Sequence, residues 1–315
     1  MKKYYIGIDL GGTFIKGGIC TREGEILVSD KVPTEGNLGG ERVAENAANL
    51  AKKLISELKI TAREVVGIGM GVPGLIDSER GIVVFWGKMQ WKNFPIGEMV
   101  SRLTGLPTRV LNDANAAALG ETLFGSGKKY KNTVFITLGT GVGGGVVIDG
   151  KLFLGNRSAG AELGHSAIVI GGERCNCGRR GCLEAYASAT ALIRETRRAM
   201  EADKSSKMWE IGSLDAVTGK TAFDYAESDS SARRVVDNYI EMLGAGIVNY
   251  ANIFRPEAII IGGGVSAQGE SLLAPLKSIL ERDIYAGGRG PSVDLLIATL
   301  GNTAGTLGAA SAFLN

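Results

Sequence analysis

The first thirty residues alternate apolar runs with glycine. Residues 4–10 read as a buried strand, Gly11-Gly12-Thr13 as a turn and residues 15–20 as the returning strand. Thr21-Arg22-Glu23-Gly24 is a second turn before residues 25–29, so the chain opens as an antiparallel meander. From 41 to 59 the period changes to that of a helix, with Val43, Ala47, Leu50, Leu54, Ile55 and Leu58 on one face and polar residues elsewhere. Residues 65–70 read as a buried strand running into Gly71-Val72-Pro73-Gly74, and 108–111 as another running into Asn112-Asp113. An Ala- and Leu-rich helix follows over 114–124.

At 133 the opening pattern returns. Residues 133–138 predict a strand, 139–145 a glycine turn and 146–148 the return strand, closed by an Asp149-Gly150 hairpin. A strand over 258–261 enters Gly262-Gly263-Gly264, helix 270–283 follows, and a last helix covers 303–314. Strand, glycine turn and strand thus occur twice, at 4–19 and 133–148, in a chain whose 315 residues suffice for two cores. The expected division is a smaller N-terminal α/β domain over 1–118, onto which 303–315 packs back, and a larger one over 119–302.

Composition narrows the function classes. The chain is 44% apolar and 22% charged, which excludes a disordered polymer. A net charge of +2 gives no electrostatic pull toward nucleic acid or an anionic membrane, and Lys128-Lys129 and Arg179-Arg180 are too short to change that. No apolar run reaches the roughly 18 residues of a membrane span. Met1-Lys2-Lys3 resembles the start of a signal peptide, but Asp9 and the glycines after it interrupt any apolar continuation. The reading is a cytoplasmic protein, in which the triplet Asn156-Arg157-Ser158 carries no glycan.

The one histidine and three of the four cysteines fall within 165–182: His165, Cys175, Cys177 and Cys182. A Cys₃His set fills the tetrahedral shell of zinc and leaves no open position, so a metal there is structural. Cys20 is left over, which points to reduced, metal-bound thiols rather than disulfides. Glu162 and Glu184 flank the cluster.

Gly139-x-Gly141-x-x-Gly144 matches a dinucleotide fingerprint in form, yet a β run follows where that fingerprint needs a helix. Gly125-Ser126-Gly127-Lys128 falls short of a P-loop. What remains is a phosphate cradle of two glycine hairpins facing each other across an interdomain cleft, each offering backbone N–H groups and a threonine hydroxyl. Asp9 is placed to hold a hydrated Mg²⁺, which takes one or two carboxylates beside substrate phosphates. Asp113, at a strand-to-helix junction, is expected as an N-cap or as a general base kept ionised by the helix dipole.

Seven motifs then occur in order: Asp9-x-Gly11-Gly12-Thr13-x-x-Lys16, Gly71-x-Pro73-Gly74, Asn112-Asp113-x-Asn115, Leu138-Gly139-Thr140-Gly141-x-Gly143-Gly144-Gly145, Glu162-x-Gly164-His165, Cys175-x-Cys177-Gly178-x-x-Gly181-Cys182-x-Glu184 and Ile261-Gly262-Gly263-Gly264. Over essentially its whole length the chain resembles the ROK family (repressors, open reading frames, sugar kinases), and within it the bacterial ATP-dependent glucokinases. The resemblance implies an α/β, actin-like ATPase (ribonuclease H-like) fold, duplicated into two domains. It implies phosphorylation of a hexose 6-hydroxyl, with Asp113 as base. Gly74, Asn112, Glu162, His165 and Glu184 would line the sugar, His165 also serving zinc. Asp9, Gly11, Gly12, Thr13, Lys16, Thr140, Gly141, Gly263 and Gly264 would face ATP and Mg²⁺. It further implies a dimer or tetramer.

The chain departs from that pattern in two places. Relatives carry an Asn-Leu pair shortly before the residue matching Trp91, in a loop that reaches toward the sugar. Here the stretch is Phe85-Trp86-Gly87-Lys88-Met89-Gln90, with a Trp and a cation expected near the sugar. Thr303 also replaces a usual acid. Glucose leads as substrate over fructose, mannose or N-acetylmannosamine. A sugar-sensing repressor is the competing class, disfavoured because such proteins carry a helix-turn-helix ahead of a phosphate-site strand that here begins at Tyr4.

Overall fold

The structure, a computed structural model, describes residues 3–314; Met1-Lys2, at the start of the signal-like run, and Asn315 lie outside it. In order, the elements are β1 (Tyr4–Leu10), β2 (Phe14–Cys20), β3 (Ile26–Pro33), α1 (Gly40–Glu57), β4 (Val65–Val72), β5 (Leu75–Asp77), β6 (Ile82–Trp86) and β7 (Trp91–Phe94). Then come α2 (Ile96–Thr104), β8 (Thr108–Asn112), α3 (Asp113–Phe124), β9 (Thr133–Leu138), β10 (Val142–Ile148) and β11 (Lys151–Leu152). The remainder holds α4 (Glu184–Ala187), α5 (Ala189–Ala202), α6 (Thr221–Tyr225), α7 (Ser230–Phe254), β12 (Ala258–Gly262), α8 (Glu270–Asp283), β13 (Asp294–Ile297) and α9 (Ala304–Ala310).

The chain divides into two compact units. Unit 1 comprises 1–132, 145–161 and 299–315; unit 2 comprises 133–144 and 162–298. In unit 1 the strands order β3-β2-β1-β4-β8, with β1-β2 and β2-β3 antiparallel and β1-β4 and β4-β8 parallel. The second five-stranded sheet orders β11-β10-β9-β12-β13, the parallel pairs β9-β12 and β12-β13 lying in unit 2. The two orders are the same permutation. This is the duplicated α/β plan of the actin-like ATPases, and the repeated pattern at 4–19 and 133–148 is its trace in the sequence.

Alternation along β1 sorts the unit 1 core onto the two faces of its sheet. Ile6, Ile8 and Leu10 join Val43, Leu50 and Leu54 of α1 in one buried cluster, while Tyr5 joins Leu307 and Ala310 of α9 in another. Burying each such Leu or Ile contributes about 1.5–3 kcal/mol. The α9 side requires two glycines: a side chain at Gly7 would overlap the Thr306 carbonyl, and one at Gly69 that of Ala309. Bare backbone at both lets the helix lie directly on the sheet.

Two details of the predicted pattern change. Gly143 to Gly145 belong to β10 and are not a turn, which is confined to residues 139–141. They are strand glycines because neighbours press on them: a Cβ at Gly144 would sit 2.6 Å from Leu163 Cδ1. The Phe85-to-Gln90 stretch is also no free loop. It is the end of β6 and one 3₁₀ turn, Gly87–Met89, leading into β7. Trp86 is buried there against Trp91, ring centroids 5.1 Å apart and nearly perpendicular. Trp86 is therefore a core residue, and the cation expected beside it is the only exposed charge of that turn.

Candidate active site

In unit 1 the first hairpin closes between Leu10 and Ile15, which pair across β1 and β2. Gly11 N–H donates to the Phe14 carbonyl at 3.0 Å, and Thr34 fastens the turn by donating its hydroxyl to Gly11 O at 2.7 Å and its N–H to Thr13 O at 2.9 Å. Gly12 and Thr13 at the tip of the turn stay exposed. Asp9 pairs with Lys16 across the ladder, the Lys16 Nζ lying 3.9 Å from its carboxylate and 3.5 Å from Asn302 Oδ1. Loss of water pushes the Asp9 carboxyl above its ordinary range, and Lys16 partly offsets this. A half-buried carboxylate held that way gains from a bound cation.

Asn112 ends β8 and Asp113 begins α3. The capping expectation falls on the other residue of the pair. Asn112 is the N-cap, its Oδ1 accepting the N–H groups of Ala114 (2.9 Å) and Asn115 (3.2 Å). Its Nδ2 donates to the Gly74 carbonyl at 3.1 Å. Asp113 occupies the first helical position. Its Oδ1 accepts Ala114 N–H at 2.9 Å.

Unit 2 carries the second glycine turn and the metal-type cluster. Gly139 N–H donates to Gly141 O at 3.0 Å, and the start of α5 backs the turn, Ala189 N–H to Gly139 O and Thr190 Oγ1 to Thr140 O, both at 2.8 Å. Gly263 stands at the end of the neighbouring strand β12 with φ +83, and a Cβ there would lie 2.5 Å from Leu138 N. That left-handed, close-packed position needs glycine. Gly263 and Gly264 remain exposed.

Glu162 and His165 bracket a 3₁₀ turn pinned from α7: the Ser166 and Tyr250 hydroxyls lie 2.7 Å apart and both donate to the Leu163 carbonyl. Burial of its carboxyl raises Glu162 above the carboxylate range; His165 opposes this and Glu184 adds to it. Glu184 accepts Val142 N–H at 3.0 Å, which ties it to the glycine turn, and a side chain at Gly141 would overlap it. The donor atoms of His165, Cys175, Cys177 and Cys182 all lie within 4.8 Å of one another. Cys177 Sγ is 3.7 Å from Cys182 Sγ, and Cys175 Sγ is 3.6 Å from His165 Nδ1. A zinc tetrahedron with bonds of about 2.3 Å to sulfur and 2.0–2.1 Å to nitrogen has edges of about 3.8 and 3.6 Å. The donor set is compatible with structural zinc.

The family model of the ROK family matches residues 5–315. The chain belongs to the ROK family. This ROK protein is 40% identical over 310 residues to a glucokinase of Halalkalibacterium halodurans, covering 97% of the chain and 93% of that relative. Among solved structures it is similar to a ROK-family glucokinase of Streptomyces griseus in complex with glucose and AMPPNP. That likeness has a TM-score of 0.82, 35% identity and 98% of each chain covered. It is also similar to the ROK hexokinase of Thermus thermophilus, with a TM-score of 0.81, 34% identity and coverage of 98% and 96%.

Two contributions escaped the sequence reading. Glu121, fully buried on α3, accepts the N–H groups of Ser126 (3.2 Å), Thr299 (3.1 Å) and Leu300 (2.7 Å), so it ties the chain's return to unit 1 onto that helix. Its only trace in the sequence is an acid among Ala and Leu. Lys88, expected as a cation near the sugar, lies over the first glycine hairpin: a Cβ at Gly12 would be 2.6 Å from its Nζ. Cys20 is plain core, its thiol pushed up to about 12 by burial, and Thr303 donates its hydroxyl to Leu300 O at 2.8 Å.

Proposed function

We propose that this ROK protein is an ATP-dependent hexose kinase, with glucose as its leading sugar. The carrying observation is the near-complete alignment with a glucokinase at 40% identity, on a chain that has Asp113 at the start of α3 beside the Asn112–Gly74 link. Asp113 accepts the proton of the sugar 6-hydroxyl as that oxygen attacks the terminal phosphorus. The bond from phosphorus to the β,γ-bridging oxygen breaks, and ADP leaves. A positioned base supplies about 10²–10⁴-fold; alignment and charge neutralisation supply the rest.

Gly74, Asn112, Glu162, His165 and Glu184 are the proposed sugar contacts. Gly11, Gly12, Thr13, Lys16, Thr140, Gly141, Gly263 and Gly264 are proposed to receive the nucleotide. Asp9 suits Mg²⁺, which neutralises phosphate charge when bound. His165, Cys175, Cys177 and Cys182 suit zinc, which would brace the turn carrying Glu162 and His165. Ligation through Nδ1, the nitrogen facing Cys175, would leave Nε2 of His165 for a sugar hydroxyl. A cytoplasmic homo-oligomer belongs to the same proposal; among the described residues no helix is long and apolar enough to cross a membrane.

Coupled ADP-release assays over glucose, fructose, mannose and N-acetylmannosamine test this reading. Glucose is expected to give the highest kcat/KM. Absence of turnover with every hexose removes the kinase assignment, and preference for another sugar removes only glucose.

A further inference from the structure

We infer that Lys88 is a further phosphate-contacting catalytic residue, its ammonium neutralising the phosphoryl group in transfer. The inference rests on the kinase reading above.

Three observations within unit 1 carry it. Lys88 Nζ lies against Gly12, at the 2.6 Å given above from a Cβ built there, so it stands over the exposed backbone of the first hairpin. Lys88 is exposed and, among the described residues, makes no ion pair or hydrogen bond through its side chain. The turn that carries it is anchored on both sides. Trp86 and Trp91 are core residues, and Met89 packs against Gly36, where a Cβ would overlap it.

The same strand end also touches the proposed sugar side. A side chain at Gly74 would overlap the Phe85 carbonyl and come within 3.1 Å of Trp86 Cβ, and Gly74 O is the acceptor of Asn112. One short element thus backs the Gly74–Asn112 link at residue 86 and reaches the phosphate hairpin at residue 88. A group that moves from nucleotide to sugar passes between those two points. A lysine without a protein partner is a compact point charge suited to a phosphoryl oxygen. Charge developing on that group is stabilised most by donors already in place.

The experiment compares wild type with Lys88→Met and Lys88→Arg. Steady-state kinetics are combined with direct titration of ATP, AMP and glucose, and with thermal melting to verify folding. A charge-assisted contact predicts a loss of about 10- to 100-fold in kcat/KM for ATP in K88M, with ATP binding weakened and AMP and glucose binding within about twofold of wild type. K88R should recover most of the loss. Kinetics within about twofold of wild type in K88M would overturn the inference. So would a loss confined to glucose affinity, which would mark Lys88 as a prop for the sugar side. A wild type that phosphorylates no hexose defeats the kinase reading, while the ATP and AMP titrations still judge Lys88.

Discussion

The Asn112 side chain joins a helix start to a distant turn: its amide donates to the Gly74 carbonyl at 3.1 Å while its Oδ1 caps α3. One residue therefore fixes both the origin of the helix that begins with Asp113 and the height of Gly74. Asn112→Asp keeps the cap and loses the donor to Gly74; Asn112→Ala loses both. We expect N112A to cost about 1–2 kcal/mol in stability and N112D less, by denaturant titration, with the sugar KM raised in both.

Asp113→Asn preserves size and helix position but removes the base. Turnover should fall by about 10²–10⁴-fold with sugar affinity nearly intact, measured by kcat and by direct glucose titration. Near-normal turnover would dismiss Asp113 from that role.

The raised carboxyl of Asp9 implies a cost to the empty protein. A carboxyl whose native pKa lies above its unfolded value binds its proton more tightly when folded. Its contribution is therefore most favourable below the ordinary value of about 3.9, declines as pH rises toward the raised native value, and stays low above it. Asp9→Asn should accordingly melt higher than wild type at pH 7, the advantage shrinking in acid, although Lys16 loses its partner. The same variant should lose Mg-ATP turnover. A lower melting temperature at pH 7 would show that the Lys16 pairing outweighs the desolvation.

Metal analysis of the purified protein should find one zinc per chain, and Cys177→Ser should release it. Cys177 is the exposed member of the set, its thiol held below the ordinary range by the Arg179 backbone N–H, so its replacement removes a ligand without opening the core. Limited proteolysis should then cut between residues 162 and 184, and the sugar KM should rise before the melting temperature falls far. Wild type free of zinc would exclude the metal.

The two-fold strand grammar, the helices at 114–124 and 270–283 and the Cys₃His set were legible in the sequence because each is a local signal. Apolar period, capping chemistry and ligand spacing act over a few residues or one turn. Gly143 to Gly145 misled for the same reason: without knowing that Leu163 presses on Gly144, a glycine run reads as a turn. The assignments that needed tertiary structure all depend on where the chain folds back on itself. Trp86 became core only when Trp91 closed the hairpin on it, and Glu121 became an anchor only when residues 299 and 300 returned to it. Lys88 met Gly12 across seventy-six positions. The sequence by itself determined the family, the repeated α/β plan and the kinds of chemistry available. Packing decided which backbone groups and which cation share a site, because a side chain's partners depend on where the chain returns, and no local pattern encodes that.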